Sequence, residues 1–219
     1  MVLQIIKDIK HLKISYSSDK EGYLPAIAKH NSEKIKKKMD SKGLFNGPLA
    51  CCTDFNINQG IIEATCANFG LFELSLNNFK NNKFPKLLNV NALLEVEDGF
   101  VMIKREKKVY SYPQYWDFPA GLVPFKDKPL ERMKDRIVTD TELNLEDFEI
   151  EPEPFIITYD RKSFALYYRA RCKKNQQELL EFFNKNFKKG TIKIIKKTEI
   201  NNFLKDHKKV YPREVMHLI

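Results

Sequence analysis

Apolar positions in the second half of the chain follow two different periods. Leu88 to Val96 and Phe100 to Arg105 are apolar runs on either side of the turn sequence Glu97-Asp98-Gly99, and they predict a β-hairpin. From Pro129 to Thr141 the apolar residues instead recur three and four positions apart, which predicts an amphipathic helix with a proline in its first turn. Both periods in one segment indicate an α/β fold.

The rest of the second half continues this alternation of strands and helices. Strands are predicted at Phe155 to Thr158, Phe164 to Arg171 and Thr191 to Lys196, and helices at Gln176 to Phe187 and Ile200 to His207. No internal repeat is present in the sequence, so we expect ordinary globular domains rather than a repeat array.

The first half has weaker patterns. A strand is predicted to begin at Leu3 to Ile6 and to resume at Leu12 to Tyr16. Ser32 can cap a helix that runs to Met39, and Leu49 to Asp54 and Ile61 to Phe69 read as two strands joined by a turn. This half is therefore also expected to be α/β.

Composition sets limits on the class of protein. With 219 residues, 42% of them hydrophobic, the chain can bury a substantial core. No window reaches the roughly 18 consecutive apolar residues that a membrane span needs, and the apolar run at the N-terminus is too short for a signal peptide. The four cysteines lack C-x-x-C spacing, which disfavours a zinc site. We expect a soluble, cytoplasmic protein with no membrane partner.

The net charge of +9 suits a phosphate-rich partner such as a nucleotide or a nucleic acid. Most of the excess is lysine in Lys/Asn-rich stretches, at Lys34 to Lys38, Asn77 to Lys83 and Asn184 to Lys189. Such stretches favour solvated surfaces over base-specific recognition, which uses Arg, Asn and Gln at fixed geometry. A nucleotide partner and, as a further possibility, RNA stay open.

The segment Tyr112-Pro113-Gln114-Tyr115-Trp116-Asp117-Phe118-Pro119-Ala120-Gly121 lies between the predicted hairpin and the predicted helix. It closely resembles the segment before the signature motif of Nudix hydrolases, and the resemblance extends over Leu88 to Ile219. It implies a Nudix-type α/β/α sandwich with a mixed β-sheet over residues 87–219. Leu44-Phe45-Asn46-Gly47 also resembles a Nudix subgroup that includes nucleoside diphosphate sugar hydrolases, which implies an N-terminal α/β extension over residues 1–86.

The family's motif, G-x5-E-x7-R-E-U-x-E-E-x-G-U with U a bulky aliphatic residue, fits without gaps from Gly121 and keeps few of its acids. Asp127 takes the first acidic position. The remaining positions hold Asp135 for Arg, Arg136 for Glu, Ile137 for the aliphatic, Thr139 and Asp140 for the paired Glu, Glu142 for the second Gly and Leu143 for the closing aliphatic.

The family needs those glutamates because positions i, i+3 and i+4 of a helix share one side, where three carboxylates converge on divalent cations that bridge a diphosphate. Here that side carries Arg136, Thr139 and Asp140, and the guanidinium is expected to pair with Asp140 and to repel Mg²⁺. A displaced Mg²⁺ or Mn²⁺ site on Asp140, Asp127 and Glu131 is the alternative. In that reading Asp140 and Asp127 are the catalytic candidates; otherwise the neighbouring acids are solvated and pair with nearby Lys and Arg.

The resemblance also suggests ligand-binding residues. Tyr110, Tyr112 and Trp116 lie where the family often stacks a base or a sugar on aromatic rings, although packing within the protein explains such rings as well. Lys104 and Arg105 end a strand near the predicted cleft and could meet phosphate, and Gly121 frames that cleft.

Two functions follow from the resemblance. One is a Nudix-fold protein with a degenerate motif, catalytically weak or silent, that binds a nucleotide or a nucleoside diphosphate derivative. The other is a divergent Mg-dependent pyrophosphohydrolase of nucleoside diphosphate sugars or related compounds. Loss of the glutamates favours the first.

Overall fold

The structure, a computed structural model, describes residues 4–7, 11–17, 37, 47–68, 86–107, 113–159, 163–187, 191–211 and 213–219. The strands of this part are β1 (Gln4–Lys7), β2 (Lys13–Tyr16), β3 (Pro48–Asn56), β4 (Ile61–Asn68), β5 (Lys86–Val96), β6 (Gly99–Lys104), β7 (Trp116–Asp117), β8 (Ala120–Leu122), β9 (Phe148–Ile150), β10 (Ile156–Tyr159), β11 (Ser163–Cys172) and β12 (Thr191–Lys196). Its α-helices are α1 (Pro129–Thr141), α2 (Gln176–Asn186), α3 (Ile200–Asp206) and α4 (Arg213–Met216). The predicted α/β class is confirmed.

The chain forms two compact units. The first comprises Met1–Asn89, Leu122–Pro129 and Phe155–Leu166, and the second comprises Val90–Gly121, Leu130–Pro154 and Tyr167–Ile219. The first unit therefore contains the predicted extension together with two later segments of the chain. A domain boundary after residue 86 stays a prediction.

Hydrogen bonds join the strands of the first unit in the order β1-β10-β11-β5-β3-β4-β2, with β5 and β11 beginning in this unit. β3 and β4 are antiparallel, as predicted, and Asn56 and Gln59 bond to each other across their turn. β2 runs parallel to β4, whereas β1 is antiparallel to β10, so the sheet is mixed. The helix predicted from Ser32 to Met39 lies outside the described residues, apart from the helical Lys37.

A small apolar core cluster lies in the first unit. Leu49, Cys51, Ala67 and Leu87 are buried in one cluster, and Leu122 packs against it. Burial raises the pKa of the Cys51 thiol to about 12, because the low-dielectric core disfavours the thiolate. This cysteine therefore packs as a small apolar residue.

In the second unit β6 is the central strand, with β5, β7 and β12 as partners. α1 spans Pro129–Thr141, as predicted, and it buries Met133, Ile137 and Thr141, which lie on one side at four-residue spacing. α2 begins with a capping box in which Asn175 and Glu178 satisfy each other's backbone N–H groups. β7, β8, β9 and α4 are two to four residues long and carry no periodic signal in the sequence.

No helix in the described ranges is long and apolar enough to cross a membrane.

Candidate functional site

A buried carboxylate, Asp117, lies at the start of the motif region. β7 pairs antiparallel with β6, which sets Asp117 opposite Ile103. Its Oδ2 accepts a 2.9 Å hydrogen bond from Nη1 of Arg105, and its Oδ1 accepts one of 2.9 Å from the backbone N–H of Phe118. Burial raises the pKa of Asp117 to about 7, while Arg105 acts in the opposite direction and the charge of Asp140 adds to the increase.

A second acid, Asp140, is held by α1 and by the first residue of β8. Arg136, one turn earlier on the helix, donates from Nε to Oδ2 over 3.2 Å and from Nη2 to Oδ1. The backbone N–H of Ala120 also donates to Oδ2, over 3.2 Å. Burial raises the pKa of Asp140, and the bonds from Arg136 and Ala120 oppose that increase. Both carboxylate oxygens of Asp140 are thus occupied by donors of the protein itself.

Gly121 makes this arrangement possible. A β-carbon at Gly121 would lie 2.8 Å from Cδ and 3.0 Å from Cγ of Arg136, closer than carbon atoms pack. The arginine side chain therefore crosses the space that any other residue would fill. Here the glycine of the motif makes room for a cation of the protein.

The residues that the motif offers do not fit a divalent metal ion. Mg²⁺ needs several oxygen ligands, and each oxygen of Asp117 and Asp140 already accepts a hydrogen bond from an arginine or a backbone N–H group, so an incoming ion would have to compete with these donors. Thr139 is exposed, and its hydroxyl donates to the carbonyl oxygen of Asp135 over 2.7 Å. Across the described ranges, no three carboxylate, histidine or cysteine side chains form a group that could hold a metal ion.

The other two predicted metal ligands are both exposed. Glu131 is exposed on α1 and accepts a 2.9 Å ion pair from Lys134. Asp127 is exposed in the first unit, where its carbonyl oxygen accepts a hydrogen bond from the Tyr16 hydroxyl over 2.8 Å. The structure therefore places the three acids named for a metal in three different surroundings.

The predicted ligand-binding residues are divided between two faces of the sheet. Successive residues of a strand point to opposite faces, so Trp116 and Lys104 lie on one face, and Asp117 and Arg105 on the other. Tyr110 and Tyr112 lie outside the described residues. Gly121 lies with Arg136.

Trp116 is a packed residue with 4% of its surface exposed. Its ring lies 5.8 Å from that of Phe203 and 5.9 Å from that of His207, between ring centres. The ammonium groups of Lys104 and Lys193 lie 5.9 Å and 5.4 Å from the centre of the same ring. Packing within the protein accounts for most of the surface of this tryptophan.

Two residues on these two faces of the sheet, Asp117 and Lys193, were not predicted from the sequence as site residues. Asp117, an acid between Trp116 and Phe118 in an apolar stretch, carried a usable signal, because an isolated charge in such a stretch is expected to be buried and paired. Lys193 carried no comparable signal, since its approach to Trp116 depends on the pairing of β12 with β6.

The chain is similar to several solved structures. DR0079 from Deinococcus radiodurans matches with 12% identity over 63% of this chain and 86% of that one, at a TM-score of 0.47. A NUDIX-family hydrolase from Clostridium perfringens matches with 9% identity over 62% and 94% of the two chains, at 0.43. The MutT protein of Methanosarcina mazei Go1 matches with 14% identity over 62% and 93%, at 0.42.

The last two of these structures bear the Nudix and MutT names. No protein-family profile matches the sequence, and no curated protein matches it significantly.

Proposed function

We propose that this chain is a Nudix-like binding module, catalytically silent, that takes a nucleotide or a nucleoside diphosphate derivative without a divalent metal ion. The observation that carries this proposal is that Arg136 donates hydrogen bonds to both oxygens of Asp140, the one carboxylate at the paired glutamate positions.

Charge argues against metal at this place. A guanidinium stays protonated at all relevant pH values, so Arg136 keeps its charge beside Asp140. At a separation of 4 Å, a divalent ion and a guanidinium repel each other by roughly 8 kcal/mol at an effective dielectric constant of 20. An incoming ion would in addition have to replace the hydrogen bond from Ala120. These residues therefore do not offer a site for the metal ion that would activate a water molecule for hydrolysis.

The same arginines support binding. Arg105 and Arg136 keep 28% and 24% of their side chains exposed, and both belong to the Asp117 and Asp140 cluster. Guanidinium groups bind phosphate oxygens through charge-assisted, often bidentate hydrogen bonds. Two guanidiniums can thus supply the positive charge that the family takes from a metal ion, and the net charge of +9 favours an anionic ligand in general.

Calorimetry of the full chain tests this proposal. UDP-glucose and ADP are titrated into the protein in EDTA, then in Mg²⁺ and in Mn²⁺, while chromatography follows cleavage. We expect binding that chelator leaves unchanged and no cleavage in any condition. Metal-dependent cleavage of UDP-glucose that disappears in Asp140→Ala would contradict the proposal and establish the divergent pyrophosphohydrolase instead.

A variant provides the positive control for the metal titration. Arg136→Glu combined with Thr139→Glu places three carboxylates, at positions 136, 139 and 140, on one side of α1. We expect Mn²⁺ to bind this double variant and not the parent chain. Equal Mn²⁺ binding by both would show that Arg136 does not keep metal out.

A further inference from the structure

Two lysine ammonium groups converge on one aromatic ring on the face of β6 and β7 opposite to Asp117. Nζ of Lys104 lies 5.9 Å, and Nζ of Lys193 5.4 Å, from the centre of the Trp116 ring. The two ammonium groups repel each other, and an uncharged aromatic ring does not neutralise them.

The strand register makes the two lysines neighbours. β6 and β12 are antiparallel, with Lys104 opposite Thr191 and Met102 opposite Lys193. Lys104 and Lys193 are therefore diagonal neighbours on one face, with α-carbons roughly 7–8 Å apart. The exposed Thr191 lies on the same face, and its hydroxyl adds a third hydrogen-bond donor.

Neither lysine forms an ion pair within the part of the chain that the structure describes. Among the described residues, no carboxylate oxygen lies within 4.0 Å of Nζ of Lys104 or Lys193. Thr191 and Lys193 are exposed, and Lys104 is half-buried. These donors are thus accessible at the end of the β6–β12 pair, while Phe100 and Met102 further along the face are buried.

We infer that Lys104, Thr191 and Lys193 form a phosphate-binding site, and that its ligand is the phosphodiester backbone of a nucleic acid. Two ammonium groups and a hydroxyl on one face match the acceptor oxygens of a phosphate group. The site is distinct from the proposed nucleotide site, because Trp116 and Asp117 lie on opposite faces of β7.

The charge of the surrounding segment favours a polymer over a single phosphate. Besides Lys193, residues 191–219 carry five exposed lysines and one half-buried arginine, Arg213, against three acids, Glu199, Asp206 and Glu214. One of these exposed lysines, Lys209, is hydrogen-bonded directly to β7, because its backbone carbonyl accepts from the N–H of Trp116. A phosphate backbone can contact several such cations at once.

Binding of a fluorescein-labelled single-stranded RNA to the full chain, measured by anisotropy over a series of salt concentrations, tests the inference. The double variant Lys104→Gln/Lys193→Gln is expected to weaken binding roughly tenfold at moderate salt and to lower the salt slope by about 1.4, at about 0.7 for each lost contact to a single strand. Lys104→Arg/Lys193→Arg keeps both charges and should retain the parent affinity.

A matched control removes the same charge elsewhere. Lys13→Gln/Lys185→Gln changes two exposed lysines outside β6, β7 and β12, and it should leave the affinity and the slope close to those of the parent. The inference is overturned if the control loses as much as the test variant, if the test variant binds like the parent, or if the parent does not bind the RNA at low salt.

A second set of titrations distinguishes a nucleic acid from free phosphate. Trp116 is the single tryptophan of the chain, so its fluorescence reports on this site during titration with inorganic diphosphate and with unlabelled RNA. A lysine-dependent change with RNA at much lower concentration than with diphosphate supports the nucleic-acid ligand. A lysine-dependent change with diphosphate alone overturns that ligand and assigns the site to a free phosphate compound.

Discussion

The side chain of Arg136 lies across the α-carbon of Gly121, with its Cδ 2.8 Å from the position that a β-carbon would take. The guanidinium of the same arginine binds both oxygens of Asp140. Glycine at position 121 and arginine at position 136 are therefore a matched pair, and the ion pair depends on the missing side chain.

Gly121→Ala is expected to destabilise the fold by about 1–3 kcal/mol, because the new methyl group forces Arg136 to move. Unfolding in urea measures the loss. Combined with Arg136→Ala, the glycine substitution should cost clearly less, since the clashing atoms are gone. Equal costs in both backgrounds would show that Arg136 is not what the added methyl group meets.

Arg136→Gln is expected to destabilise the protein more at pH 8 than at pH 5. Without the guanidinium, the buried Asp140 carboxylate lacks its main counter-charge, and its folded-state pKa, already raised by burial, rises further. A raised folded-state pKa means stability that is present at low pH and lost as the pH rises through that pKa. We expect a loss of about 1–2 kcal/mol at pH 8, reduced for the partial exposure of the pair.

Urea unfolding of the parent and of Arg136→Gln at the two pH values measures this difference. The double variant Arg136→Gln/Asp140→Asn serves as the control, because it has no charge to bury. Its stability relative to the parent should change little between pH 5 and pH 8, and a pH dependence as large as that of the single variant would refute the explanation.

Glu142→Gly is expected to stabilise the protein by about 0.5–1 kcal/mol. Glu142 follows α1 with a φ of 63°, in the left-handed region that costs a residue with a β-carbon about 1–2 kcal/mol. Glycine avoids this strain, but it loses more chain entropy on folding, so only part of the strain energy is gained. Thermal and urea unfolding measure the gain. Thr139→Gly, within the helix, should instead lower stability by roughly 1 kcal/mol.

Asp117→Asn is expected to change the pH dependence of stability. Burial raises the pKa of Asp117 from its ordinary value of 3.8 to about 7, so the folded state holds the proton more tightly. The contribution of the Asp117 proton to the free energy of unfolding is present below pH 4. It is lost as the pH rises to about 7, by at most about 1.4 kcal/mol for each pH unit. The stability of Asp117→Asn minus that of the parent should therefore rise between pH 4 and pH 7. A constant difference over this range would show that the carboxyl does not titrate there.

Local patterns in the sequence predicted several elements with their bounds. The spacing of Met133 and Ile137 and the proline at its start gave α1 its limits, because a helix forms from interactions within its own turns. The turn at Glu97-Asp98-Gly99 gave the β5–β6 hairpin for the same reason. The Arg136–Asp140 pair was predicted and is confirmed, since residues four apart on a helix are neighbours whatever surrounds them.

Contacts between distant parts of the chain could not be predicted in this way. Arg105 meets Asp117 because β7 pairs with β6, and Lys193 meets Trp116 because β12 pairs with the other edge of β6. Two-residue strands such as β7 are too short for a periodic pattern, so the faces of Trp116 and Asp117 were not predicted.

The sequence by itself determined the α/β class, the helix Pro129–Thr141 and the pairing of Arg136 with Asp140 on it. Tertiary structure decided that Asp117 is buried beside this pair and that the two lysines share the ring of Trp116 on the opposite face. The physical reason is that helical neighbours are fixed by spacing along the chain, whereas burial and strand pairing depend on residues far apart in sequence.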